Sequence, residues 1–359
     1  MTTTLRFLLS GPGLIGRQHA LRLKENENCE LVAVVAPNHP KNRAFSEEFN
    51  AEFFTDFEDA LQRVKPNAVI ISSPNKYHYA QSRVCIDARV PFLVEKPVTA
   101  TLEEAAELAR LSRDADVPIL VGHHRTHSTL LTTAEAFLAS EKFGRLVALQ
   151  GSALFYKPQS YFEAAPWRTK SGGGPILINL IHEIGLMRHL AGEVMSVAAL
   201  SSNAMRGFDV EDSLALSLSF SGGALGTYLL SDAAASRKSW EMTSGENPAY
   251  PNYSQQTCYH FAGTRGAMDF PSMRVCYYKS DKEASWWEPF ETEQLPSERC
   301  DPLVRQIEHF VDVIRGLAPP KVSAEDGWQN MRVVDAIAES IRTGATVALD
   351  EMTTQAGHP

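Results

Sequence analysis

The stretch Leu5-Arg6-Phe7-Leu8-Leu9-Ser10-Gly11-Pro12-Gly13-Leu14-Ile15-Gly16 decides the fold. A short apolar run ends in glycines spaced Gly-x-Gly-x-x-Gly, and a helical pattern follows from about Ile15 to Leu23. The first glycine permits a tight turn, the second lets the backbone approach a pyrophosphate, and the third allows close helix–strand packing. Phosphates placed there meet the free N–H groups and the dipole of a helix N-terminus. In this strand–turn–helix setting Gly11, Gly13, Leu14, Ile15 and Gly16 read as a dinucleotide cradle.

Outward from the turn, the first third of the chain alternates between strand and helix patterns. Glu30–Val35, Ala68–Ser72, Val90–Val94 and Val117–Val121 read as strands. Arg43–Asn50, Asp56–Arg63, His78–Asp87 and Leu102–Asp114 read as helices, with Asp56 a candidate N-cap. Continuous apolar strands between helices imply a parallel sheet covered on both faces. After about residue 122 the pattern changes. Leu146–Phe155 and Asp212–Leu230 alternate apolar and polar residues, which marks an antiparallel sheet with one buried face. Ser221-Gly222-Gly223 reads as a hairpin turn, and Cys258–Phe261 and Val275–Tyr278 as added strands. Gly245–Gln256 reads as a long loop. A helix is expected over Pro302–Arg315, capped by Asp301 and ended by Gly316, and a last one over Glu325–Arg342. The expected architecture is α/β: a doubly wound parallel sheet over residues 1–122, and an α+β domain over 123–359 with an open, mostly antiparallel sheet. The last helix is expected to pack back on the first domain.

The totals limit the function. A chain of 359 residues has room for two domains, and 44% hydrophobic with 21% charged residues is ordinary for a globular protein. A net charge of −9 argues against nucleic acid and against a basic membrane-surface role. The five cysteines, Cys29, Cys85, Cys258, Cys276 and Cys300, are scattered without a Cys-x-x-Cys pair. With no secretory leader or membrane-length apolar run, the expectation is reduced thiols in the cytoplasm.

Two strand ends carry further information. Val35 is followed by Ala36-Pro37-Asn38-His39-Pro40-Lys41-Asn42-Arg43, with no acid for ribose hydroxyls. Ala36 removes a charge that repels a 2′-phosphate, and His39, Lys41 or Arg43 supplies one that attracts it. The reading leans to NADP over NAD. Glu95-Lys96-Pro97 follows the strand ending at Val94, and ligands of open α/β sheets sit at such carboxyl ends. A lysine there can hydrogen-bond a substrate hydroxyl and help move its proton.

Taken in order, the Gly11–Gly16 turn, Ser73-Pro74-Asn75 with His78, Glu95-Lys96-Pro97, Gly122-His123-His124-Arg125, Trp167-Arg168 and Gly172-Gly173-Gly174 leading to His182 resemble the Gfo/Idh/MocA oxidoreductases. The resemblance spans nearly the whole chain. It implies an N-terminal Rossmann domain, a C-terminal α/β domain and homodimers or homotetramers formed through the exposed face of the large sheet. It implies Lys96 and His182 as the catalytic pair. Ser73, Pro74, Asn75, His78, Glu95 and Lys96 follow as cofactor contacts beside Ala36, His39 and Arg43. His124 and Arg125 are expected to line the substrate pocket. Trp167 and Arg168 are expected near cofactor or substrate, with Arg168 available to a phosphate or a carboxylate.

One position departs from the family pattern. The family's usual aspartate four residues before the histidine is Ile178 here, while Asn179 stands three before. Both spacings share a helix face, so Asn179 can orient substrate or imidazole, but it cannot supply a negative charge. Glu183 is expected to point away around the helix.

The expected reaction moves hydride between a secondary alcohol of a sugar, cyclitol or polyol and the nicotinamide, with His182 and Lys96 handling the proton. A second reading, which the resemblance also implies, is a cis-dihydrodiol dehydrogenase; Tyr156, Tyr161, Phe162 and Trp167 can pack on either kind of ring and do not separate the two. A third, of another class, is a dinucleotide-binding regulator without catalysis. His123, His124 and His127 lack the setting of a zinc helix, so no metal is expected.

Overall fold

The computed structural model describes residues 3–280, 282 and 284–349, in two compact units. One comprises the chain up to Ser128 together with Cys300–Met331; the other comprises Thr129–Arg299 and the chain from Arg332.

The first unit is built on six parallel strands: β1 (Leu5–Ser10), β2 (Cys29–Val35), β3 (Glu52–Phe54), β4 (Ala68–Ile71), β5 (Phe92–Val94) and β6 (Ile119–Val121). Their order is β3-β2-β1-β4-β5-β6, the doubly wound arrangement whose winding reverses between β1 and β4. The crossovers carry α1 (Leu14–Glu25), α2 (Pro40–Glu48), α3 (Phe57–Val64), α4 (His78–Asp87) and α5 (Leu102–Ala115). Strand residues divide by the two-residue period into two cores. Leu8, Val69, Ile71, Val94 and Val121 face one core, joined by Leu108 of α5 and by Val322 and Ala324. Phe7, Leu9, Ile70, Leu93 and Leu120 face the other, where Ile307, Phe310, Val311 and Val313 of the helix Pro302–Ile314 pack. That double burial is why these strands are apolar throughout.

Two local details differ from expectation. Strand β3 pairs with Ala33–Val35, but its three residues are too few to show a period. Helix α2 begins at Pro40 rather than Arg43, because Nδ1 of His39 accepts the Lys41 N–H at 3.2 Å and proline suits the first helical position. Asp56 caps α3 as expected, accepting from the N–H of Asp59 at 2.8 Å.

The second unit holds nine strands: β7 (Leu146–Leu154), β8 (Val194–Ser202), β9 (Ser213–Phe220), β10 (Leu225–Ser231), β11 (Tyr259–Gly263), β12 (Gly266–Phe270), β13 (Arg274–Tyr277), β14 (Glu291–Gln294) and β15 (Val347–Ala348). Their order is β14-β13-β12-β11-β7-β10-β9-β8-β15. All neighbours are antiparallel except β10 and β7, which run parallel. Leu214, Leu216, Leu218 and Phe220 of β9 are buried and Ala215 and Ser217 are exposed, as the alternation predicts. The opposite face shows Val147, Leu200, Leu225 and Leu229 to solvent. No helix among the described residues is long and apolar enough to cross a membrane.

Candidate active site

Strand register in the first unit creates a row of candidate site residues. Ser10 pairs with Val35 and with Ile71, Ile71 with Val94, and Val94 with Val121. The next residues are therefore level along one edge: Ala36, Gly11, Ser72, Glu95 and Gly122. Backbone bonds continue the ladder past the strands, from Gly11 N–H to Val35 at 3.0 Å, Ser72 N–H to Ser10 at 2.8 Å, Glu95 N–H to Ile71 at 2.9 Å and Gly122 N–H to Val94 at 2.8 Å. This is the carboxyl edge, at the switch point between β1 and β4, where such sheets bind ligands.

The glycine turn fits a dinucleotide. Gly11 has φ +87°, and a Cβ there would lie 2.5 Å from the backbone nitrogen of Ser73. A Cβ on Gly16 would collide with the carbonyl oxygen of Gly11 and lie 2.7 Å from the Ser72 hydroxyl. Over Gly13 there is open space. The turn is thus closed on its inner side and open where a pyrophosphate must approach. Helix α1 begins at Leu14, with Gly13 as an N-cap that supplies no side-chain bond and no acid in its first turn, leaving N–H groups for an anion. Leu14 is 82% exposed beside the opening, and Ile15 is half-buried.

At the end of β2, Ala36 is buried and no carboxylate follows it. His39 is exposed and spends one ring nitrogen on capping α2. Arg43 donates to Asn38 at 2.8 Å and lies 4.8 Å above the Phe53 ring.

His78 ties two strand-end loops. Its Nδ1 is 2.9 Å from the carbonyl oxygen of Pro97 and its Nε2 is 2.8 Å from that of Ser73. Burial lowers its pKa, against the pull of the two carbonyls and of Glu95. Pro74 and Asn75 are exposed at the tip of the first loop, and Ser73 is held to Gln81 at 2.8 Å. Glu95 is buried, and Lys96 beside it is half-buried. Glu95 bonds His19 of α1 at 2.8 Å, a partner that sequence reading missed. The signal was a histidine three residues past Gly16 on an otherwise apolar helix face. After β6, His124 is half-buried and Arg125 buried. Buried His123 meets Asn330 at 3.2 Å, and the His127 ring lies tilted against that of His309 with centroids 5.1 Å apart. Among the described residues no cluster of three or more His, Cys, Asp or Glu side chains is arranged to hold a metal ion.

In the second unit, a π-helical turn over Ile176–Leu180 runs directly into the helix Ile181–Ala191. Such a widened turn re-aims the side chains around it and is frequent at functional sites. His182 is buried in the first turn of that helix. Asn179, on the widened turn, accepts from the ammonium of Lys157 at 2.8 Å. Lys157 is 9% exposed, beside Asp232 at 3.4 Å and over the rings of Phe155 and Tyr161. Burial lowers its pKa, with Asp232 opposing. Asp232 also accepts from Arg206 at 2.7 Å. Sequence reading missed Lys157, though Lys157-Pro158 after β7 repeats the Lys96-Pro97 pattern after β5. Arg168 stacks 3.7 Å from the Tyr161 ring centre and donates to the Tyr161 carbonyl at 2.6 Å, while Trp167 is 56% exposed. Glu183 turns to the sheet, as its place on the helix implies, and accepts the hydroxyl of Tyr259.

A parallel sheet wound in this order, with a glycine turn open to a pyrophosphate and a lysine on the same edge, defines an NAD(P)-dependent oxidoreductase. Comparison with known proteins specifies the kind. Residues 5–123 match the oxidoreductase family's NAD-binding Rossmann fold, and residues 136–349 match its C-terminal alpha/beta domain. The chain belongs to the Gfo/Idh/MocA family of oxidoreductases. It is 22% identical over 355 residues to a 1,5-anhydro-D-fructose reductase of Ensifer adhaerens, covering 96% of this chain and 98% of that one. It is 25% identical over 179 residues to a 1-carboxy-3-chloro-3,4-dihydroxycyclohexa-1,5-diene dehydrogenase of Comamonas testosteroni, covering 48% of this chain and 44% of that one. Its fold matches the WlbA dehydrogenase of Bordetella pertussis, solved with NADH and UDP-GlcNAcA, at TM-score 0.76 and 22% identity over 97% of this chain and 99% of that one.

Proposed function

We propose that this protein oxidises a secondary alcohol of a sugar, cyclitol or related polyol, or reduces the matching ketone, with Lys96 and His182 handling the proton. The observation that carries the reading is Lys96 on the carboxyl edge, level with the open glycine turn. The full-length relative that reduces an anhydro sugar supports the substrate class. The nicotinamide, when bound, takes or gives the hydride. The ammonium of Lys96 donates a hydrogen bond to the reacting oxygen and stabilises its developing charge. An imidazole nitrogen of His182 takes the hydroxyl proton in oxidation and returns it in reduction. Asn179, held by Lys157, orients the substrate beside the histidine in place of the family's aspartate. His124, Arg125 and Trp167 complete the substrate contacts. Arg168, on the Tyr161 ring, presents a cation to a phosphate or a substrate carboxylate.

The cofactor read from Ala36 is NADP, because no carboxylate ends β2 and His39, Lys41 and Arg43 follow it. Parallel titrations with NADPH and NADH check this, and a tenfold or greater preference for NADH overturns it. The five cysteines are free thiols, which fits action in the cytoplasm. The apolar face around Val147, Leu225 and Leu229 fits association of like chains into a homodimer or homotetramer. The reaction itself is tested with a panel of sugars and cyclitols read by nicotinamide absorbance. Turnover abolished by Lys96→Ala and by His182→Ala supports the reading, and no turnover on any polyol sinks it. A second reading, dehydrogenation of a cyclic cis-diol, is favoured by the Comamonas relative and is tested by adding dihydrodiols to the panel.

A further inference from the structure

His19 lies on α1, three residues after Gly16, with no surface exposed to solvent. Its Nε2 is 2.8 Å from Oε1 of Glu95, so the ring donates there to a carboxylate. The other carboxylate oxygen accepts from the backbone N–H of Lys96 at 3.3 Å. Behind the carboxylate stands Gly122, where a Cβ would lie 2.8 Å from the Glu95 carboxyl carbon. Nδ1 of His19 is buried with no hydrogen-bond partner among the described residues. Its one bond is therefore the bond to Glu95, and burying the ring is favourable only if that bond is made.

A buried carboxylate without a donor is costly and tends to take up a proton. Burial pushes Glu95 that way. The bond and charge of His19, followed by the charges of His124 and Lys96, outweigh burial and hold Glu95 below the usual carboxylate range. The charged or titratable groups facing Glu95 are His19 on α1, His78 on α4, His124 after β6, and Lys96.

We propose that His19 is a positioning residue for Lys96: it fastens the strand end carrying Lys96 to the helix that opens the dinucleotide turn, and it keeps an anion beside the lysine. The role rests on Lys96 being the group that meets the substrate oxygen. Through this bond the pyrophosphate helix and the Glu95-Lys96 segment move as one piece, so order imposed at the turn reaches Lys96 without contact between them.

The test uses three full-length variants. His19→Leu removes the donor at similar volume, His19→Gln keeps an N–H within reach of Glu95, and Glu95→Gln keeps the shape and removes the charge. Thermal melting establishes that each is folded. The first readout is the pH dependence of Lys96 modification by trinitrobenzenesulfonate, followed by peptide mass spectrometry, which needs neither substrate nor turnover. In Glu95→Gln the pH at which Lys96 becomes reactive should fall by about one unit, because the neighbouring negative charge is lost, and in His19→Leu, which releases the carboxylate from α1 but leaves it charged, the profile should shift by less. The second readout is NADH fluorescence titration, where His19→Leu should bind about tenfold more weakly. His19→Gln should restore both. If His19→Leu does not fold, Glu95→Gln and His19→Gln decide the matter. A Lys96 profile unchanged in Glu95→Gln overturns the proposal, and so does a His19→Gln protein that behaves as His19→Leu. Failure of the unaltered protein to bind either NADH or NADPH sinks the cofactor reading instead, and the Lys96 profile still decides the role of His19.

Discussion

The ammonium of Lys157 bridges Asn179 and Asp232, 2.8 Å from the amide oxygen and 3.4 Å from the carboxylate. The side chain is nearly buried, so removing its ammonium leaves the Asn179 amide oxygen without that donor and the Asp232 carboxylate with Arg206 as its remaining cation. Lys157→Met is expected to cost about 1–3 kcal/mol of stability, with Lys157→Arg costing less. Urea unfolding measures both, and an unchanged midpoint in Lys157→Met would show that the bridge carries no stability.

The glycine turn separates folding from binding. Gly16→Ala places a methyl against the Gly11 carbonyl, which backbone must yield to, and is expected to destabilise by about 1–3 kcal/mol. Gly13→Ala places the same methyl in open space at φ −78°, a conformation alanine accepts. Its melting temperature should match the unaltered protein, while NADH and NADPH affinity falls by about tenfold or more where the pyrophosphate is obstructed. A Gly13→Ala protein that binds both nucleotides normally would refute the placement of the phosphates.

Asp301 does two jobs at once. One carboxylate oxygen caps the helix Pro302–Ile314 through the N–H of Leu303 at 2.9 Å, and the other accepts from Arg22 of α1 at 2.6 and 2.9 Å. Arg22 is 18% exposed, so this pair is better shielded than a surface ion pair. Asp301→Ala should cost about 2 kcal/mol and Asp301→Asn, which keeps the cap, about 1 kcal/mol. Equal losses in the two variants, measured by chemical denaturation, would assign everything to the ion pair.

His127 should make the first unit sensitive to mild acid. Burial, followed by the charges of His309, Lys321, His124 and Arg305, lowers its pKa to about 2. Its ordinary value is 6.5, so between these values the unfolded chain binds a proton that the folded one does not. Stability therefore falls as pH falls below 6.5, by about 1 kcal/mol per histidine between pH 6.5 and 5.5. His309, also lowered by burial, contributes in the same direction. Denaturant midpoints at the two pH values should differ less in His127→Phe than in the unaltered protein. The same difference in both proteins would show that His127 ionises in the fold.

The glycine spacing, the apolar strands and the alternation of β9 are local patterns, and each was legible because its residues lie within one turn or one strand. The same holds for Asp56 and Asp301 as helix caps. Strand β3 was not legible, since three residues carry no period and only pairing with β2 makes them a strand. Nor was the parallel pairing of β7 with β10, because alternation shows which face is buried and not which way a neighbour runs.

By itself, then, the sequence determined that the chain opens on a strand–turn–helix with the glycine spacing of a dinucleotide cradle, and which family the chain resembles. Spacing along the chain is enough for that, because the residues of the turn are consecutive. Tertiary structure decided what surrounds the candidate site residues. Glu95 meets His19 across 76 positions of chain, and Lys157 meets Asn179 across 22. No periodicity links such residues. They are brought together by the register of a sheet and the burial of its faces, and the burial gives their charges and hydrogen bonds their strength.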